Sequence, residues 1–480
     1  MTTTDQITPA GKHPTAPLAT GTGRLARGVT ALHDLAGLRG KVAAPVVIYL
    51  LAVMLPIGFQ LGPVYMTGVR LVLIFMIIPL AVQLAMGRYG RVLLTDMLFF
   101  AHVLWIVVAL AVNNPEQVVA NAGSTGIEFI GGYMLGRAFI RTPADMVALI
   151  RMLTAIALCL LPFAIVEALT GKALILQTIN SLPGISSLKD IEIGKRMGLY
   201  RVQTVFAHPI HSGLFCTIVV SLAFVGLKGI YSTTRRLIGA LGVGLIGFLA
   251  LSSGALLAIV LQIMLITWAF VFAKYPRRWL ILLGLFACAY IAISLLSNRP
   301  PLRVFMSYAT FSPHTAYMRS IIFDWGMINV WANPIFGIGL NDWVRASYMG
   351  STIDNFWLLT AMRYGIPGFL TLAIGYGLAI WKIGRRQFDA DLVLWQLRRA
   401  WVFSFAGLTF TLCTVHIWHT VFSFVFFMFG AGMWMLTAQI KDQTAPPTPE
   451  SAATPAVRYT RFPPKTADEP APHPATIRRP

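Results

Sequence analysis

Long apolar segments separated by short polar connections dominate the amino-acid pattern of this chain. Most of these segments are long enough to cross about 30 Å of hydrocarbon as a helix. The fourth segment contains a glutamate and several glycines, and the seventh is short. The pattern predicts twelve membrane-spanning helices, at 43–61, 68–86, 92–112, 118–135, 147–167, 211–227, 237–251, 255–273, 279–296, 356–381, 400–418 and 420–438.

Two polar stretches, 168–210 and 297–354, are much longer than the other connections. In the second stretch, apolar residues recur at helical spacing around Arg319, which predicts an amphipathic helix. The sequence Asn333-Pro334 and two following glycines then end that helix. The remainder of the stretch runs directly into the tenth apolar segment.

The composition places the chain among integral membrane proteins. Hydrophobic residues make up 56% of it and charged residues 12%, whereas soluble domains carry about 25% charged residues. We therefore predict an all-α polytopic membrane domain over 41–440. The tails, 1–40 and 441–480, are poor in apolar residues, and we expect both to be disordered.

The net charge of +20 reflects membrane topology. The basic residues are spread between apolar segments and form no stripe with interleaved aromatics, which argues against a nucleic-acid partner. Sixteen of them lie in short connections on one predicted side, and at most Arg70 lies in those on the other. Since lysine and arginine concentrate in cytoplasmic loops, we predict cytoplasmic termini and outward-facing 168–210 and 297–354 stretches.

Arginines in the outward stretches are candidates for binding phosphate. A guanidinium is always charged and offers a planar fork of donors. Arg201 precedes a membrane segment and Arg319 lies on the predicted amphipathic helix, so both could converge on a diphosphate at headgroup level. Contact with lipid headgroups is the alternative role. Further candidates of the same kind are Arg196, Arg303 and Arg363.

Candidate proton acceptors lie at the same membrane level. Asp354 could accept a proton from a sugar hydroxyl, and it could also cap the tenth helix, with the neighbouring Asn355 as a secondary site candidate. His208 and His211 could also act as bases, with interfacial hydrogen bonding as the alternative. Glu128 lies inside the fourth segment, where a carboxylate is costly and therefore a functional candidate. No metal-ligand spacing is present, and His416 at the end of the eleventh segment is interpreted as interfacial.

Four stretches together resemble the O-antigen ligase / Wzy-type polysaccharide polymerase superfamily. They follow the family's order and lie at matching places relative to the predicted helices. Ser253 stands where the family often has arginine, and Asp354 where its ligases have a histidine proposed to be important for activity. The stretches are Arg201…Phe206-Ala207-His208-Pro209, Leu251-Ser252-Ser253-Gly254-Ala255, Arg319…Trp325 with Asn333-Pro334-Ile335-Phe336-Gly337-Ile338-Gly339, and Asp354-Asn355 with Gly365 and Gly368.

The resemblance implies an inner-membrane glycosyltransferase acting at the periplasmic face on an undecaprenyl-diphosphate-linked oligosaccharide. It implies that Arg201 and Arg319 hold the donor diphosphate, without a metal or cofactor. The implied partners are membrane lipids, a flippase and a chain-length regulator. Because aspartate replaces the ligase histidine, we expect an exopolysaccharide polymerase. The alternatives are a ligase that transfers a finished glycan to lipid A core or protein, and a solute transporter.

Overall fold

The computed structural model describes residues 40–62, 64–183, 185–189, 191, 194–298, 301, 304, 313–388 and 391–439. Helices dominate these residues, as the apolar pattern predicts. The predicted tails lie outside the described residues, except for residue 40. The helices are α1 Ala44–Met54, α2 Gly68–Ala85, α3 Leu94–Asn113, α4 Gly123–Gly126, α5 Gly132–Phe139, α6 Pro143–Thr170, α7 Leu174–Asn180, α8 Pro209–Ser221, α9 Thr233–Leu249, α10 Ser253–Val271, α11 Arg278–Leu296, α12 Pro313–Ala332, α13 Phe356–Arg385, α14 Leu392–Leu412 and α15 His419–Gly430.

The chain is a multi-pass membrane protein. Within the described residues, eight helical segments are long and apolar enough to cross a membrane. Helix α11 has no buried residue, which fits an apolar helix that faces lipid. The count of twelve spans stays a prediction. The eight segments are Gly68–Ala85, Leu94–Asn113, Pro143–Thr170, Pro209–Gly226, Ser253–Val271, Arg278–Leu296, Phe356–Arg385 and His419–Leu436.

The first predicted span is wrong in its second half. Helix α1 ends at Met54, and Ile57–Leu61 forms strand β1. Pro56, between the two, has no amide hydrogen and cannot continue the helix. Strand β1 pairs antiparallel with β2, Val64–Thr67, and with β3, Ser186–Ser187. The described fold is thus helical with one small sheet, which the all-α prediction missed.

The fourth predicted span is a helix interrupted by π-helical turns at Val118–Ala122 and Ile127–Gly131. Its glycines allow close packing of helix backbones. A Cβ added at Gly136 would lie 2.1 Å from the Phe427 carbonyl oxygen in α15. The glycines of this segment therefore allow it to pack closely against α15.

A clasp joins the end of α12 to a break in α13. Gly365 has φ +67° and ψ −177° inside α13, and the residues on either side of it bond to the loop after α12. The Ile366 amide donates to the Pro334 carbonyl at 2.7 Å, and the Gly339 amide donates to the Arg363 carbonyl at 3.0 Å. The two glycine-containing stretches noted in the sequence form this clasp, which fixes helix α12 against α13.

The eleventh predicted span extends too far. Helix α14 ends at Leu412, and the segment 413–418 is not helical. The carbonyl of Val415 accepts a hydrogen bond of 3.1 Å from the amide of Phe356 at the start of α13. This segment therefore lies beside the end of the 297–354 stretch.

Candidate functional site

One cavity of about 690 Å³ collects five of the ten candidate site residues named from the sequence. Its wall is built from four connections, 196–210, 252–253, 352–354 and 416–418, and from Arg319 on helix α12. These connections are far apart in the sequence and meet only because the helices between them pack together. The lining residues are Arg196, Met197, Arg201, His208, Ile210, Ser252, Ser253, Arg319, Thr352, Asp354, His416 and Trp418.

Three arginines line this cavity. The guanidinium of Arg196 donates to the Leu251 carbonyl at 2.9 Å, and that of Arg201 donates to the Ala250 carbonyl at 3.4 Å. Leu251 has φ +45°, a left-handed conformation unusual for leucine, so the turn that orients both guanidinium groups is strained. The buried Nε of Arg319 has no hydrogen-bond partner within the described residues. Each guanidinium has five N–H donors, so donors remain for a ligand.

The cavity is electropositive. Burial and the neighbouring Arg196 lower the pKa of Arg201 to about 10. Burial is also the main cause of the lowered pKa of Arg319, to which Arg196 adds and which Asp354 opposes. A guanidinium keeps its charge in proteins, and among the described lining residues only Asp354 is acidic. Such a cluster favours a ligand with more than one negative charge.

Helix dipoles add to this positive field. Four helices begin at the cavity, and the amides of a first helical turn carry partial positive charge. Two of the four capping residues, Ser252 and Trp418, make no side-chain cap hydrogen bond. Anions are favoured at such helix starts. The capping residues of the four helices are His208, Ser252, Asn355 and Trp418.

Asp354 is exposed in the cavity and does not cap helix α13. The capping bond comes from Asn355, whose side-chain oxygen accepts from the Leu358 amide at 3.0 Å. The capping interpretation of Asp354 is therefore wrong. Its carboxylate lies beside Arg319 on the cavity wall and is available to a ligand.

The two histidines of this region have different positions. His208 lines the cavity, and its Nδ1 accepts a hydrogen bond of 3.1 Å from the Ile210 amide. Burial, with Arg201 and Arg196 nearby, lowers the pKa of His208 to about 4, so the ring is neutral at physiological pH. His211 is 1% exposed and is absent from the cavity wall, and its ring lies 4.1 Å from that of Trp418 between centroids.

Three residues of this region were not assigned to the site from the sequence. The buried carboxylate of Glu167 accepts hydrogen bonds from the amides of Gln203 and Thr204, at 2.7 and 3.0 Å, and so fixes the chain between Arg201 and His208. An acidic residue at the end of an apolar segment is the signal that could have found it. His416 and Trp418, interpreted as interfacial or passed over, line the cavity because 413–418 leaves the helix.

The remaining candidates lie elsewhere. Glu128 pairs with Arg70 at 2.8 Å inside the membrane domain, and both side chains are buried. Arg363 contributes its backbone carbonyl to the clasp and is absent from the cavity wall. Arg303 lies outside the described residues.

An apolar groove of about 750 Å³ adjoins the polar cavity and shares Arg319 and Asp354 with it. The groove lies mainly between α12 and α13. Together the two spaces offer a charged, polar end and an apolar end, with Arg319 at their boundary. The apolar lining includes Ile322, Phe323, Met327, Val330, Trp331, Trp357, Leu358, Ile366, Phe369, Leu370 and Phe410.

We predict a stability change with pH that originates at His208. Its pKa of about 4 in the folded protein lies below the usual value of 6.5. Between these values the unfolded chain binds the proton and the folded chain does not, so stability falls as pH falls from 6.5 towards 4. His208→Asn keeps a capping side chain and removes the titration. We expect the melting temperature of this variant to fall less than that of the wild type over this range.

The control for this measurement is the pH range above 7, where both proteins should show the same dependence. His416, whose pKa burial and Arg363 lower to about 3, leaves a residual acid sensitivity in both proteins. Parallel curves for wild type and His208→Asn below pH 6.5 would contradict the assignment.

Within the described residues, no group of three or more His, Cys, Asp or Glu side chains could hold a metal ion. The arrangement can bind a polyanion through arginines and place a carboxylate and a neutral imidazole beside it. Comparisons with protein-family models and with curated proteins find no match to this chain.

Proposed function

We propose that this protein is an inner-membrane polysaccharide polymerase that joins oligosaccharide repeat units linked to undecaprenyl diphosphate, at the periplasmic face. The observation that carries the proposal is the position of Arg319 and Asp354 on the boundary between the arginine-lined cavity and the apolar groove. A polyprenyl diphosphate sugar is an apolar chain, a dianionic linker and a polar glycan in that order. The apolar groove, the arginine at its boundary with the cavity and the polar cavity follow the same order.

Arg196, Arg201 and Arg319 bind the diphosphate. Guanidinium forks suit phosphate oxygens, and charge-assisted bonds of this kind are about twice as strong as neutral ones. Mutual proximity of the arginines costs energy in the empty cavity, and a bound dianion offsets that cost. The isoprenoid chain lies along the apolar groove between α12 and α13, and the sugar lies in the polar cavity near His416 and Trp418.

In the transfer step, the hydroxyl oxygen of the acceptor glycan bonds to the anomeric carbon of the donor. The bond from that carbon to the diphosphate oxygen breaks, and its electron pair stays on the diphosphate. The arginines stabilise the charge that develops on this leaving group. The hydroxyl proton passes to the carboxylate of Asp354, the first candidate base, with neutral His208 as the second.

The test of this proposal is the Asp354→Asn variant. The amide keeps the shape of the side chain and cannot accept the proton, so we expect the rate of glycan transfer to fall about 10²-fold. The assay mixes purified protein with two lipid-linked repeat units and measures product length. Affinity for the diphosphate lipid should stay within a few-fold of wild type, because the arginines remain.

Asp342→Asn is the matched control, since Asp342 is an exposed carboxylate of the same stretch that pairs with Arg345 and is absent from the cavity wall. Its transfer rate should equal that of wild type. A wild-type rate in Asp354→Asn would remove Asp354 as base. Absence of any elongation by wild-type protein, with transfer to lipid A core or protein instead, would identify a ligase. Transport of a solute without either transfer would overturn the enzyme assignment.

A further inference from the structure

A second charged cavity, of about 300 Å³, lies at the end of α13 opposite to the proposed active site. It is formed where the start of α3, the end of α13 and the turn after α15 meet. No residue of the proposed polymerase site contributes to it. Its lining residues are Arg91, Leu93, Leu94, Thr95, Leu378, Lys382, Arg385, Arg386 and Leu436.

Four of these residues are cationic, and none of the described lining residues is acidic. Lys382 and Arg385 are three positions apart on α13, so they share a face, and Arg386 is the residue that follows the end of this helix. Like charges at this spacing destabilise a helix. The arrangement is therefore one in which a bound anion lowers the free energy of the folded protein.

The carboxylate of Asp96, which follows the lining residue Thr95 in the sequence, is already engaged. It is fully buried, accepts a hydrogen bond of 2.7 Å from the Leu93 amide, and pairs with Arg137 at 3.4 Å. It also accepts a hydrogen bond from the Tyr133 hydroxyl. Asp96 thus balances the charge of Arg137. None of the described lining residues supplies a carboxylate to the four cations of the cavity.

Two further features point to an anion. The buried Nε of Arg386 has no hydrogen-bond partner within the described residues, although another of its nitrogens donates to the Ala438 carbonyl. Helix α3 begins at the cavity, and its capping residue, Leu93, makes no side-chain cap hydrogen bond. Its first amides therefore add partial positive charge to that of the four side chains.

Four of the other five lining residues are leucines, and they decide between a soluble anion and a lipid. Leu93, Leu94, Leu378 and Leu436 line the cavity beside the cations. Leucine side chains do not stabilise a bound inorganic phosphate, whereas the acyl chains of a lipid pack against them. Helix ends of a membrane protein also lie at the level of lipid headgroups. We propose that this cavity binds an anionic phospholipid, with its phosphate between the cations and its acyl chains along the leucines.

The test compares two double variants that remove equal charge. Lys382→Gln with Arg385→Gln changes exposed residues of the cavity, and Lys274→Gln with Arg277→Gln changes exposed residues of the connection between α10 and α11. Binding of phosphatidylglycerol to purified protein in detergent is measured by native mass spectrometry. We expect the cavity variant to lose affinity about tenfold, since each basic residue contributes to headgroup binding, and the control variant to change less than twofold. The single variant Lys382→Gln should show an intermediate loss.

Four outcomes would overturn the proposal. Equal losses in both double variants would mean general attraction to a basic surface. Unchanged affinity in the cavity variant would place the lipid elsewhere. Displacement of phosphatidylglycerol by millimolar inorganic phosphate, or equal binding of phosphatidylcholine, would mean that the lipid is not specifically recognised. None of these results depends on whether the chain is a polymerase.

Discussion

Arg319→Ala is expected to lower the rate of glycan transfer by about 10³-fold, the upper end of the effect of losing one preorganised donor to a developing anion. Arg319 is the only arginine that lines both the polar cavity and the apolar groove within the described residues. Its Nε is buried and unpartnered, so its donors are held ready for a ligand. Because the charge on the leaving diphosphate grows during transfer, the maximal rate should fall more than the donor affinity.

Arg319→Lys separates charge from geometry. Lysine keeps the positive charge and loses the planar fork, so we expect it to restore part of the donor affinity and little of the rate. Arg345→Ala is the matched control, since this arginine of the same stretch bonds to Asp342 and to the Met349 carbonyl and lies off the cavity wall. Transfer at the wild-type rate in Arg319→Ala, with normal amounts of protein, would refute the diphosphate role.

Gly365→Ala is expected to have the largest effect on folding, about 3–5 kcal/mol of stability. Gly365 has φ +67° and ψ −177°, a backbone conformation that residues other than glycine rarely adopt. A Cβ there would lie 2.0 Å from the Ile335 carbonyl oxygen, so the clasp between α12 and α13 would have to open. The fraction of monodisperse protein in detergent and its melting temperature measure the loss.

Gly377→Ala is the matched control for this change. Gly377 lies further along α13, and a Cβ at that position meets nothing within 4 Å. Alanine there should leave the protein unchanged or stabilise it by about 0.5–1 kcal/mol, since glycine costs helix stability. A normal melting temperature for Gly365→Ala would mean that the break in α13 tolerates a side chain and does not determine the position of α12.

The clasp links these two predictions. Arg319 lies on α12, and α12 is fixed to α13 through packing and through the bonds around Gly337, Gly339 and Gly365. A Cβ at Gly337 would lie 2.4 Å from the Met362 carbonyl oxygen. The glycines that resemble a family motif therefore act on the site at a distance, by fixing the helix that carries its central arginine.

The sequence alone determined that this chain lies in a membrane and where most of its long helices lie. Burial of apolar surface depends on composition and on the local spacing of apolar residues, and the amino-acid sequence shows both directly. The same pattern predicted helix α12 and the break after it, because Asn333-Pro334 and nearby glycines act within a few residues. It also selected Arg201, Arg319, His208 and Asp354, all of which line one cavity.

Only the tertiary structure decided how those residues are combined. The cavity joins positions from 196 to 418, and no periodicity records contacts at such separations. In the structure Asn355, not Asp354, caps the helix, and the ring of His211 packs against that of Trp418. His416 and Trp418 line the cavity. Each of these outcomes depends on the local backbone conformation, which packing against distant helices determines. The apolar pattern determines only which segments are buried in lipid or protein.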